Sequence, residues 1–150
     1  AIDRDKDFIV AHYNLGIAYN MFGEKEKAEK EWRFVVEHQK RGIKKEEKEM
    51  IKEEELKIIL LVEEKKPYFY SRKYLGFLYL EKGLKEKAME EFEEALKVVP
   101  SDPECHYELG KIYMTLKNKE KAIYHFEEAI KNGTKNEKEA KAFLKELRHE

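Results

Sequence analysis

Cysteine is nearly missing from this chain. Cys105 stands alone, so no disulfide forms within the chain and no redox compartment follows from its cysteine content. Gln39 is the only glutamine, and three prolines are spread over 150 residues. Long apolar runs are missing too. The longest candidate, Ile58-Ile59-Leu60-Leu61-Val62, falls far short of the roughly 18 residues that span a bilayer. Charge of one sign is also lacking, since 31 basic and 32 acidic side chains leave a net charge of -1. The signs are interspersed, as in Glu46-Glu47-Lys48-Glu49, which reads as solvated helix faces with neither a basic footprint for nucleic acid nor an acidic tail. No signal peptide precedes the first helix pattern, but Ala1 is not an initiator methionine, and the expectation is a piece of a longer protein.

What is abundant is Lys and Glu. Charged residues make up 42% of the chain, a composition of strong surface helix formers that also suits a thermophile. The length supports one domain with a moderate core.

Self-comparison carries the main signal. Leu75-Gly76-x-x-Tyr79 is followed by Ala88-x-x-x-Phe92, Ala95 and Pro100. A shift of 34 residues gives Leu109-Gly110-x-x-Tyr113, Ala122-x-x-x-Phe126 and Ala129. A third copy lies upstream, with Leu15-Gly16-x-x-Tyr19, Ala28-x-x-x-Trp32 and Val35. In every copy the alanine follows the glycine by 12 residues. Small residues there let two helix axes approach, and the large ones fill the space around the crossing. Gly23 and Gly83 mark the ends of first helices, and Asp102 before Pro103 marks a helix start. Glu93 with Lys97, and Glu127 with Lys131, are expected as ion pairs one turn apart.

These motifs resemble the tetratricopeptide repeat family, whose period is about 34 residues. The resemblance implies an all-α fold, a right-handed superhelix of stacked helical hairpins. The repeats are expected at 9–42, 69–102 and 103–135, with a degenerate repeat at 43–68 and a polar-backed capping helix at 136–148. The family's frequent tryptophan three residues before the leucine is replaced by His12, Arg72 and His106. Gly16 and Gly76 are 60 residues apart, eight short of two periods. Residues 44–65 are therefore expected to form one long charged helix at a local break in the superhelix. Ala1 falls in the register of Ala95, so the chain is expected to begin inside the second helix of an earlier repeat.

Chemistry-bearing motifs are not found: no phosphate loop, nucleophile elbow, HExxH or paired-cysteine site. Cys105 and His106, even with His125 nearby, fall short of a four-ligand metal set. The expectation is a non-enzyme with no cofactor and no metal.

Within the resemblance, first helices line the concave side of the array. The exposed inner positions are then Val10, Tyr13, Ile17 and Asn20, next Tyr70, Lys73, Phe77 and Leu80, and last Glu104, Tyr107, Lys111 and Met114. Most are apolar or aromatic where a solvated face is polar, and such surface is enriched in binding sites. Asn14 occupies the slot from which peptide-binding members hydrogen-bond a peptide backbone, though Tyr74 and Glu108 break any asparagine ladder. The candidate partner-binding set is Val10, Tyr13, Asn14, Ile17, Tyr70, Lys73, Phe77, Tyr107, Lys111 and Met114. The carboxylate clamp of chaperone-binding members is not matched, since its slots hold Tyr13, Ile17 and Glu108. The reading is a scaffold holding a peptide or helix of a protein partner, with no nucleic acid and no membrane insertion. The alternatives are a self-associating unit, such as a homo-oligomer, or a regulatory appendage of an enzyme.

Overall fold

The computed structural model describes residues 2–40 and 65–149. They form seven helices: α1 Ile2–Met21, α2 Lys25–Lys40, α3 Lys66–Glu81, α4 Lys85–Val98, α5 Pro103–Thr115, α6 Lys119–Lys131 and α7 Glu137–His149. No strand occurs among the described residues. Three hairpins, α1–α2, α3–α4 and α5–α6, stack in order, and α7 covers α6.

The hairpin turns share one backbone design. Gly23, Gly83 and Gly133 take the left-handed conformation, with φ of 81°, 77° and 82°. The next amide reaches back to the helix, Glu24 to the Tyr19 carbonyl and Leu84 to the Tyr79 carbonyl, both at 2.8 Å. These bonds satisfy carbonyls that a helix end otherwise leaves open. The turn between α5 and α6 repeats the design without glycine: Lys117 adopts φ 60°. Asp102 caps α5 by accepting the Cys105 amide at 3.0 Å, as expected.

Inside each hairpin the glycine makes room for a ring. A β-carbon on Gly76 would lie 2.7 Å from the ring of Phe92, and one on Gly110 equally close to Phe126. One on Gly16 would lie 2.3 Å from the indole nitrogen of Trp32. Ala28, Ala88 and Ala122 are fully buried at the same crossings. No larger side chain fits there.

The slot that carries tryptophan in the family is polar here, and it finds a partner 19 residues on. His12 meets Glu31, Arg72 meets Glu91 at 2.8 Å, and His106 meets His125 at 2.9 Å. Each pair ties the first helix of a hairpin to its second. Joints between hairpins are tied by the repeat tyrosine: Tyr79 of α3 accepts from Arg33 of α2, and Tyr113 of α5 donates to Glu93 of α4.

Several expectations need correction. Residues 2–8 continue α1 and are not the end of an earlier second helix. The structure shows no break in the stack at the first joint, because α2 packs directly on α3 with Trp32 stacked 5.0 Å from Tyr74. Pro67 and Tyr68 belong to the first turn of α3. The remainder of the expected degenerate repeat, 43–64, lies outside the described residues. The i,i+4 ion pairs are replaced by others: Lys97 takes Glu94 at 2.7 Å, Glu93 serves Tyr113, and Glu127 takes Arg148 of α7 at 3.4 Å. Glu93 and Glu127 are drawn to neighbouring helices, while Lys97 keeps a partner three residues away on its own helix.

Candidate protein-binding face

The candidate residues lie on the first helices α1, α3 and α5. Val10 and Asn14 are exposed, and Tyr13, Ile17, Tyr70, Phe77, Lys111 and Met114 are half-buried. Lys73 and Tyr107 are buried.

Tyr13 of α1 and Tyr70 of α3 meet through Tyr74. The Tyr13 and Tyr74 rings stack at 6.4 Å, and Tyr70 and Tyr74 at 6.1 Å. Tyr74 is the residue sequence reasoning passed over: it interrupts an asparagine ladder, but in space it bridges α1, α2 and α3. The spacing of Tyr70 and Tyr74, one turn apart, was the available signal. Burial, followed by the neighbouring Tyr74, holds the Tyr13 hydroxyl well above its ordinary range. It therefore stays protonated at neutral pH and is able to donate. Further along α3, Phe77 sets its ring edge-on to Phe92 at 5.2 Å and is half-buried.

The two lysines of the set are already engaged. Lys73 Nζ lies 3.3 Å from Asp102 and 3.6 Å from Glu104, over the rings of Phe69 and Tyr70. Burial works against its charge, but Asp102 and Glu104 more than offset that and raise its pKa. Lys111 pairs with Glu108 at 3.2 Å and lies 4.8 Å above the Tyr107 ring. Tyr107 turns its own ring onto Phe126 at 6.0 Å and is core. Lys73 is thus corrected from an exposed position to part of the α3–α5 packing, and Tyr107 to part of the core of the α5–α6 hairpin. The face that remains is apolar and aromatic, and its cations are balanced within the chain.

The histidines make a different site. His106 Nε2 lies 2.8 Å from the Pro100 carbonyl, which only accepts, so this nitrogen carries the proton. Its Nδ1 then accepts from His125 Nδ1. Burial, with His106 and Lys121 nearby, lowers the His125 pKa to about 4. Among the described residues no group of three or more His, Cys, Asp or Glu side chains converges for a metal ion.

Residues 76–117 match the family described as TPR repeat, and residues 103–136 match the tetratricopeptide repeat. No curated protein matches the chain significantly. Among solved structures, PcrH from Pseudomonas aeruginosa superposes with a TM-score of 0.59 at 16% identity, over 95% of this chain and 92% of that one. PilF from Pseudomonas aeruginosa gives 0.48 at 19% identity, over 93% and 71%. MamA of AMB-1 gives 0.41 at 21%, over 82% and 77%. The likeness to PcrH is one of fold.

Proposed function

We propose that this chain, a tetratricopeptide-repeat protein, is an interaction scaffold that holds an apolar or amphipathic segment of a partner protein along its first helices. One observation carries the reading: Tyr13, Ile17, Tyr70, Phe77 and Met114 keep open apolar surface on that face, in a chain that is 42% charged. Half-exposed rings anchored from behind lose little side-chain freedom on binding, which favours them as contact residues. Tyr13 and Asn14 add hydrogen-bonding groups for a backbone. Lys73 and Lys111 have internal carboxylates, so the ligand is read by shape and apolar contact rather than by a terminal carboxylate. The working set is Val10, Tyr13, Asn14, Ile17, Tyr70, Phe77 and Met114, with Tyr74 beside them.

The test is affinity capture by the full-length protein from its native host, followed by quantitative binding of the identified partner. Replacing Tyr70→Ala together with Phe77→Ala should weaken that binding about tenfold or more, with helical content unchanged. Undiminished affinity in the folded double variant would sink the reading.

A further inference from the structure

The polar slot of the first helices recurs in all three hairpins, and its two outer pairs answer a proton in opposite ways. His12 of α1 meets the Glu31 carboxylate of α2. The ring of Phe34 lies 3.9 Å away and that of Phe8 4.6 Å, and His38 stacks on Phe34 at 3.7 Å. A proton added to His12 therefore makes an ion pair across the hairpin. The middle slot, Arg72 with Glu91, holds no histidine.

His106 of α5 occupies the same slot without a carboxylate. Its Nε2–H is held by the Pro100 carbonyl, and its Nδ1 accepts from His125 of α6. The pair is satisfied with both rings neutral. One proton on His125 keeps that bond but sets an imidazolium in a half-buried place beside Lys121. A second, on His106, turns Nδ1–H against Nδ1–H and leaves no acceptor between the rings.

The surroundings supply no anion. Tyr113 of α5 stacks parallel to His125 at 5.5 Å, and Tyr124 of α6 stands edge-on at 5.0 Å. Glu93 of α4 is taken by the Tyr113 hydroxyl, and Glu127 of α6 by Arg148 of α7. Burial, followed by His106 and Lys121, lowers the pKa of His125. Both outer slots have aromatic rings beside them, so the carboxylate is the difference.

We propose that this difference makes the array respond to acid at one end, so that lowering the pH loosens the α5–α6 hairpin while α1–α2 stays closed. Tyr113 carries the change to the next joint. The ring parallel to His125 belongs to the residue whose hydroxyl ties α5 to α4. Lys111 and Met114 also ride on α5, so that end of the proposed face moves with it. The opening itself does not depend on that face binding a partner.

Hydrogen exchange of the whole chain, resolved by peptide and referred to the intrinsic rate at each pH, tests this. From pH 7.5 to 5, protection of α5 and α6 should fall roughly fivefold to tenfold more than that of α1 and α2. His125→Gln removes the protonation site and keeps an amide able to donate to His106, so it should abolish the difference. Glu31→His builds the paired imidazoles into the first hairpin. It should give α1 and α2 the acid loss that α5 and α6 show. An equal response of the two hairpins in the unaltered protein rules the proposal out, as does a difference that survives His125→Gln. A folded Glu31→His protein whose first hairpin stays indifferent to acid does the same.

Discussion

Arg72 on α3 and Glu91 on α4 form a bidirectionally buried ion pair, 2.8 Å apart with both side chains under 10% exposed (8% and 5%). Tyr68 adds a hydroxyl 3.2 Å from the Arg72 Nε. Burial opposes the charge on Arg72, but Glu91 and Tyr68 more than compensate, so its guanidinium stays protonated. The pair stands where His12–Glu31 and His106–His125 stand in the other hairpins, and it fixes which faces of α3 and α4 meet.

Removing one partner leaves a buried charge alone. Arg72→Met should therefore destabilise the protein by about 3 kcal/mol, read from chemical denaturation midpoints. Combining it with Glu91→Leu should recover most of that loss, because two apolar side chains of similar size need no desolvation of charge. A double variant as unstable as the single one would show that the pair's geometry, not its charge balance, holds the hairpin.

Lys117 is the one described non-glycine residue at positive φ, and Gly83 takes the same position one repeat earlier. A side chain at this φ is strained, while glycine gives back part of the gain through a freer unfolded chain. Lys117→Gly should stabilise the protein by about 0.5–1 kcal/mol, seen as a higher melting temperature. No exposed surface partner is lost that would offset it, so an unchanged or lower midpoint would contradict the strain assignment.

His125 faces His106 and the parallel ring of Tyr113 from α5, with Lys121 and Tyr124 on its own helix. Its folded pKa, about 4, lies below the ordinary 6.5, so the unfolded chain binds the extra proton between those values. Stability from this site is full above about pH 6.5 and is lost as pH falls toward 4. The loss is about 2 kcal/mol at most once partial solvent access is allowed for. His125→Glu copies the His12–Glu31 arrangement of the first hairpin, so it should flatten or reverse the acid dependence. Parallel pH profiles for the two proteins would refute the assignment.

The expected glycine–aromatic pairs hold because they are internal to one hairpin and repeat three times: Gly16 with Trp32, Gly76 with Phe92 and Gly110 with Phe126. The polar slot was visible as His12, Arg72 and His106, but its partners 19 residues away were not. Those partners differ in type, as Glu31, Glu91 and His125, so no single pattern marks them. The i,i+4 pairs failed for a related reason. Exposed charges on one helix are held weakly, and Tyr113 or Arg148 from a neighbouring helix draws them away.

The candidate face divides along the same line. Its position on the first helices followed from register. Its exposure did not, because Lys73 is drawn inward by Asp102 and Glu104 of the next hairpin, and Tyr107 by the ring of Phe126.

By itself, the amino-acid order determined the hairpin, its turns and the small residues at its crossing, since these depend on spacings within one period. Only the tertiary structure decided which side chains of that face stay open, and that Leu15 is exposed where Leu75 and Leu109 are buried. Exposure is a property of what lies beside a helix, and residues that share a repeat position share a sequence context without sharing a neighbour.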